Sequence, residues 1–271
     1  MTILDKIVAQ KKIEVAQQKE RYSLKDFERS PLFQRATHSF KAALKEEHKL
    51  GIISEFKRHS PSQGDIHANA SVKEVTTGYL KAGASALSIL TDTPFFKGTQ
   101  EDLMQARGYN NCPILRKDFI VDEYQIYEAK TLGADVILLI GECLTAAEVK
   151  QFSECAQSLE MEVLMEVHSA EQLEKLVPSI DVVGVNNRNL KTFEVDIQTS
   201  IDLYHAIPDE FVKISESGIS DPNVIVQLRK VGFDGFLIGE YFMRAEHPPE
   251  RLAEFVTRVY YLEDLLNNAI A

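Results

Sequence analysis

Cysteine is scarce in this sequence: 271 residues hold three, Cys112, Cys143 and Cys155, in no CxxC pair and at no zinc-ligand spacing. That excludes a disulfide-stapled scaffold and a zinc ribbon, and reads as reduced intracellular thiols. Long apolar runs are also missing. The longest strongly apolar run, Val136 to Ile140, is far too short to span a bilayer. No basic-then-apolar leader precedes a small-residue cleavage site, so the expectation is a cytoplasmic protein without a membrane partner. No GxGxxG follows the first strand-like run, which removes the argument for a dinucleotide site. Positive charge is in deficit, with 30 Lys and Arg against 41 Asp and Glu, a net charge of −11. A field of that sign repels nucleic acid and anionic membranes, and no nucleic-acid-binding motif appears. It also mildly repels an anionic metabolite, so such a ligand has to be held by local cations and backbone N–H groups.

What is present is an ordinary globular composition, 44% hydrophobic and 26% charged, on a chain long enough to bury a core without a staple. Residues 3–48 read as helical, with apolar positions at Ile3, Ile7, Val8 and Ile13. The segment up to His48 carries ten Lys/Arg against seven Asp/Glu, or +3, and reads as a solvated helix face. From residue 50 the texture changes to short apolar runs separated by amphipathic stretches. The runs are Gly51–Phe56, Ala86–Leu90, Ile114–Leu115 leading to Lys117, Val136–Ile140, Val163–Val167, Val182–Val185, Phe211–Ser215 and Gly235–Ile238. Runs apolar on both faces, alternating with helices, indicate parallel strands covered by helices. Eight such units in roughly 220 residues is the count and size of a (β/α)8 TIM barrel. An open doubly wound sheet is the competing architecture and would need fewer strands in that span. Gly83, Gly133 and Gly232 each sit just before a buried run, where a helix C-terminus needs glycine. The expectation is one domain over 1–271, with 1–48 as an N-terminal helical extension and a final amphipathic helix in "PERLAEFVTRVYYLEDLLNN".

The chemistry of such a barrel sits at the C-terminal ends of its strands. There the runs end in Glu55 and Lys57, in Lys117, in Glu166, in Asn186, Asn187 and Arg188, in Glu216, Ser217 and Gly218, and in Gly239 and Glu240. The strand period of two puts Ile53, Glu55 and Lys57 on one face. It does the same for Leu115 and Lys117, for Gly184, Asn186 and Arg188, and for Ile214 and Glu216. If those faces point inward, one mouth collects more charge than stability alone favours, because each unpaired ion costs several kcal/mol to desolvate. The bland alternatives are solvated loop lysines and loop-anchoring glutamates. Arg116 and Asp118, of opposite parity to Lys117, read as structural ion pairing. His168 follows Glu166 at i+2, but no third ligand stands at a metal spacing, so no metal is expected. The glycine-bearing loops "ESGIS" and "IGEYF", with the turn Ser60-Pro61-Ser62-Gln63-Gly64, suit a phosphate.

The segments "SEFKRHSPSQG", "LSILTD", "FFKGT", "ILRKDFIVDEYQIYEA", "LGADVILLI", "LMEVH", "GVNNRNL", "SESGI" and "LIGE" together resemble the indole-3-glycerol phosphate synthase family of tryptophan biosynthesis. The likeness runs from about residue 5 to 260, in that family's order. It implies a carboxy-lyase that closes 1-(2-carboxyphenylamino)-1-deoxyribulose 5-phosphate to indole-3-glycerol phosphate, without a cofactor. By resemblance, Lys117 is the general acid for ring closure and Glu166 its partner in dehydration. Lys57, paired with Glu55, holds a carboxylate or assists as acid, and Asn186 and Glu216 orient hydroxyls. Arg188 faces the anthranilate carboxylate. Lys57, Ser60, Ser217, Gly218, Gly239 and Glu240 map onto the phosphate group, and Phe96, Phe119 and Leu138 onto the aryl ring. The expected partner is a small phosphorylated substrate, and the expected state a monomer. Two rival readings are a sugar-phosphate isomerase of the phosphoribosylanthranilate isomerase type and a non-catalytic phosphosugar-binding barrel. The first would need a Cys/Asp pair where Glu55 and Glu166 stand; the second would predict loss of Lys117 or Glu166.

Overall fold

The structure, a computed structural model, describes residues 2–190 and 192–270. Eight parallel strands close into a barrel, each paired with the next in sequence and the last with the first. Their ranges are Ile52–Phe56, Ala86–Leu90, Ile114–Lys117, Val136–Ile140, Glu162–Val167, Val182–Asn186, Val212–Glu216 and Gly235–Ile238, called strands one to eight below. Nearly every strand residue is buried, as a sheet covered by helices requires. Alternate residues divide between two cores. Ile53, Leu115, Leu138, Leu164, Ile214 and Leu237 fill the barrel interior. Leu87, Ile89, Ile137, Val163 and Val185 face the helices. The register sets Glu166 beside Gly184 and Asn186 beside Glu216, so the polar strand ends arrive at one level.

The segment before the barrel departs from a continuous helix. It forms helices Ile3–Arg21, Leu24–Glu28 and Phe40–Leu44, with residues 29–39 non-helical. Pro31 interrupts the pattern, and the intervening chain is held by barrel carboxylates instead. Arg35 Nη2 donates to Asp135 Oδ1 at 2.7 Å, and the His38 N–H donates to the same oxygen at 2.8 Å. Phe40 and Leu44 then plug the barrel interior beside the starts of the strands. The first helix buries Leu4, Ile7, Lys11 and Val15, leaving Ile13 half-exposed. Gly83, Gly133 and Gly232 take positive φ at helix ends, where glycine is expected. The final helix spans Pro248–Ile270. Among the described residues no helix is long and apolar enough to cross a membrane.

Candidate active site

The C-terminal strand ends surround one cavity of about 430 Å³. Strand one delivers Glu55 and Lys57, whose Nζ lies 2.7 Å from Glu55 Oε1. Strand three ends in Lys117, whose Nζ donates to Glu166 Oε2 at 3.0 Å and lies 4.0 Å from Glu216 Oε2. Glu166 is the next-to-last residue of strand five, while Asn186 closes strand six and Glu216 strand seven. Gly184 makes room for the last of these: a Cβ there would stand 2.2 Å from Glu216 Oε1. Ser217 and Gly218 then turn the chain with φ of 68° and 75°. Left-handed backbone at a non-glycine residue such as Ser217 is a strain that clusters at functional sites.

Electrostatics separates the two buried glutamates that share Lys117. Burial alone would discharge Lys117, but Glu166, Glu216 and Glu55 outweigh it and keep the ammonium charged well above its ordinary range. Burial alone would also keep Glu166 protonated. The Lys117 charge, His168 and hydrogen bonds from Lys117 and Asn186 reverse that and hold it at about 2. For Glu216, burial and then the charge of Glu166 prevail over Lys117, and its pKa rises to about 8. At neutral pH this trio therefore presents one carboxylate (Glu166), one carboxylic acid (Glu216) and one ammonium (Lys117). Titratable neighbours pushed apart in this way are suited to acid–base chemistry.

The fifteen residues that the resemblance assigned to the site all line this cavity: Glu55, Lys57, Ser60, Phe96, Lys117, Phe119, Leu138, Glu166, Asn186, Arg188, Glu216, Ser217, Gly218, Gly239 and Glu240; Asn187, also at a strand end, instead bonds Ser215 and Ser200 outside it. Phe96 and Phe119 face each other with ring centroids 6.0 Å apart. Arg188 Nη2 lies 3.5 Å from Glu240 Oε2, and its Nη1 donates to the Phe193 carbonyl at 3.4 Å. Arg116 and Asp118 do pair, at 3.1 Å, with Glu128 2.7 Å from the same guanidinium nitrogen. His168 Nε2 stands 3.4 Å from Glu166 Oε1. Among the described residues no group of three or more His, Cys, Asp or Glu side chains could hold a metal ion.

Sequence reasoning missed part of the lining. Ile3, Leu4 and Ile7 of the first helix, together with Leu190 and Phe193, also line the cavity. Arg244 brings a further cation, with its Nε 3.1 Å from Glu240 Oε1 and its Nη2 donating to Gln63. The i,i+4 spacing from Glu240 to Arg244 was the available signal.

A family model described as indole-3-glycerol phosphate synthase matches residues 4–255. The indole-3-glycerol phosphate synthase of Bacteroides thetaiotaomicron is 47% identical over 257 residues, covering 95% of this chain and 98% of that relative. The protein of that name from a Polaromonas species is 43% identical over 256 residues, covering 93% and 97%. Solved structures share the barrel at low identity. The 3-hexulose-6-phosphate synthase of Salmonella typhimurium matches with a TM-score of 0.60 at 12% identity, covering 77% of this chain and 99% of that one. A tryptophan synthase chain from Pyrococcus furiosus reaches 0.57 at 16% identity, covering 78% and 98%. Those two show the fold alone; the family model and the curated relatives decide the family. This chain belongs to the indole-3-glycerol phosphate synthase family.

Proposed function

We propose that this chain closes 1-(2-carboxyphenylamino)-1-deoxyribulose 5-phosphate to indole-3-glycerol phosphate, releasing CO₂ and water. The expected setting is the cytoplasm, with a single-domain monomer working without metal or cofactor. The ring carbon bearing the carboxylate attacks the ketone, and the ketone oxygen needs a proton as the new C–C bond forms. Lys117 supplies it. Its carboxylate neighbours keep it protonated until an alkoxide, a much stronger base than an amine, develops beside it. Loss of CO₂ from the same ring carbon restores the aromatic system. Dehydration then removes the hydroxyl with a proton from an acid, and a ring-side proton passes to a base.

Glu166, charged at neutral pH, is suited to that base, and Lys117, 3.0 Å away, to the acid once solvent has returned the proton it gave to the alkoxide. Glu216 and Asn186, adjacent in register, orient the sugar hydroxyls. Lys57, held by Glu55, and Arg188 receive the anthranilate carboxylate, while Phe96, Phe119 and Leu138 clasp its ring. Ser60, Ser217, Gly218, Gly239 and Glu240 take the phosphate, the last two through their backbone N–H groups, with Lys57 as the nearby cation.

The observation that carries the reading is the Lys117 ammonium, set in the cavity between one ionised and one protonated glutamate. The test is to incubate the purified protein with the carboxyphenylamino-deoxyribulose phosphate and follow indole fluorescence. Indole product with one CO₂ released per molecule is expected; an unchanged substrate would refute the reading.

A further inference from the structure

The first helix presents Leu4, Ile7, Lys11 and Val15 to the barrel, a spacing that puts all four on one face. Three are apolar and one is a lysine, a residue rarely buried unless paired. The Lys11 side chain is 6% exposed, and its Nζ lies 3.0 Å from Asp92 Oδ2, 3.0 Å from Asp118 Oδ1 and 2.9 Å from Glu14 Oε2. An apolar side chain would seal this stripe as well as the lysine does, so it is the two buried aspartates beneath it, and not packing, that call for a cation here.

Both aspartates support the aromatic wall of the cavity. Asp92 Oδ1 accepts the Phe95 N–H at 2.9 Å and so caps the turn Thr93–Phe96 that carries Phe96. Asp118 Oδ1 accepts the Phe119 N–H at 2.8 Å, while its Oδ2 accepts from Thr91 at 2.6 Å and from Arg116 at 3.1 Å. Asp118 also directly follows Lys117. On the helix side, Lys11 lies one turn from Ile7 and two from Leu4, which line the cavity. One ammonium thereby joins the helix that lines the cavity, both aromatic walls and the segment bearing Lys117. Among the described residues it is the only cation paired with Asp92.

We propose that Lys11 is a positioning residue for the aryl end of the substrate, fixing Phe96 and Phe119 at one spacing beneath the N-terminal helix. The inference rests on the ring-closure reading above. Lys11 itself touches no reacting atom; it acts through Asp92 and Asp118.

Two variants test it: Lys11→Met, and Lys11→Met/Asp92→Asn, in which the buried ion left unpaired is also removed while an oxygen remains to cap Phe95. The readouts are melting temperature, kcat and KM, and the binding of anthranilate and of inorganic phosphate followed by calorimetry. Lys11→Met should melt lower and show KM raised about ten-fold, the scale of a small misplacement at a binding wall. Anthranilate should weaken by a similar factor while phosphate binds as in the wild type. The double variant should regain the melting temperature without regaining KM or anthranilate affinity. Should Lys11→Met fail to fold, the double variant carries the same readouts. A KM and anthranilate affinity within about two-fold of wild type in a folded variant would overturn the proposal. So would equal weakening of anthranilate and phosphate. Wild-type protein inert toward the substrate would instead refute the ring-closure reading, and the anthranilate and phosphate measurements need no turnover.

Discussion

Glu166 and Glu216 face the same ammonium, at 3.0 and 4.0 Å, and burial acts on both alike, yet they titrate at opposite ends of the range. The difference lies in their partners: Glu166 takes the hydrogen bonds of Lys117 and Asn186, whereas Glu216 meets the charge of Glu166. This has a sign in the pH dependence of stability. Folded Glu216 keeps its proton up to about 8, while the unfolded chain releases it near 4.5. Between those values the folded state binds the extra proton, so this group's contribution is full below 4.5 and is lost as pH rises toward 8. Glu216→Gln should therefore raise the melting temperature more at about pH 9 than at about pH 5. An equal shift at both would contradict the assignment. Gly184 belongs to the same argument. Its missing Cβ leaves the space that Glu216 Oε1 occupies. Gly184→Ala should keep the barrel intact by circular dichroism and lower kcat/KM by about 10²-fold as the carboxyl is displaced; unchanged kinetics would remove that role.

Among the elements, the helices are stabilised locally and the strands by the barrel. In helix Ala146–Ser158, Thr145 Oγ1 accepts the Glu148 N–H at 3.3 Å and Glu148 Oε2 accepts the Thr145 N–H at 2.8 Å. Thr145→Ala should lower stability by about 1 kcal/mol in denaturant unfolding with turnover unchanged; no loss of stability would contradict the capping account. The strands were legible in the sequence because strands buried on both faces appear as bare apolar runs. The period of two then turned Glu55, Lys117, Asn186 and Glu216 inward, while Glu166 stood out only as a charge at a strand end. The same logic failed before residue 50. Ile13 fits an apolar pattern but is half-exposed, while Lys11 breaks the pattern and is buried. Its partners Asp92 and Asp118 are remote in sequence, so nothing local marks the contact. Residues 29–39 likewise take their shape from barrel carboxylates such as Asp135 rather than from their own periodicity.

Across the whole molecule the two ends of the barrel divide the work. The strand C-termini hold the charged cavity, and the opposite end holds buried ions tied to one another and to the backbone. Asp135, fully buried, accepts from Arg35 at 2.7 Å, from the backbone of His38 and Ile114 at 2.8 Å each, and from Arg107. Asp135→Ala strands two guanidinium groups and should cost about 3–5 kcal/mol in unfolding experiments, with activity per folded molecule preserved. Loss of activity without loss of stability would break that division of labour. The most direct test of the functional end is the rate of indole appearance from the carboxyphenylamino-deoxyribulose phosphate, measured for wild type beside Lys117→Ala. Wild type should turn over, and the variant should bind the substrate but react about 10³-fold more slowly, the scale of a lost general acid. A Lys117→Ala rate close to wild type would contradict the account.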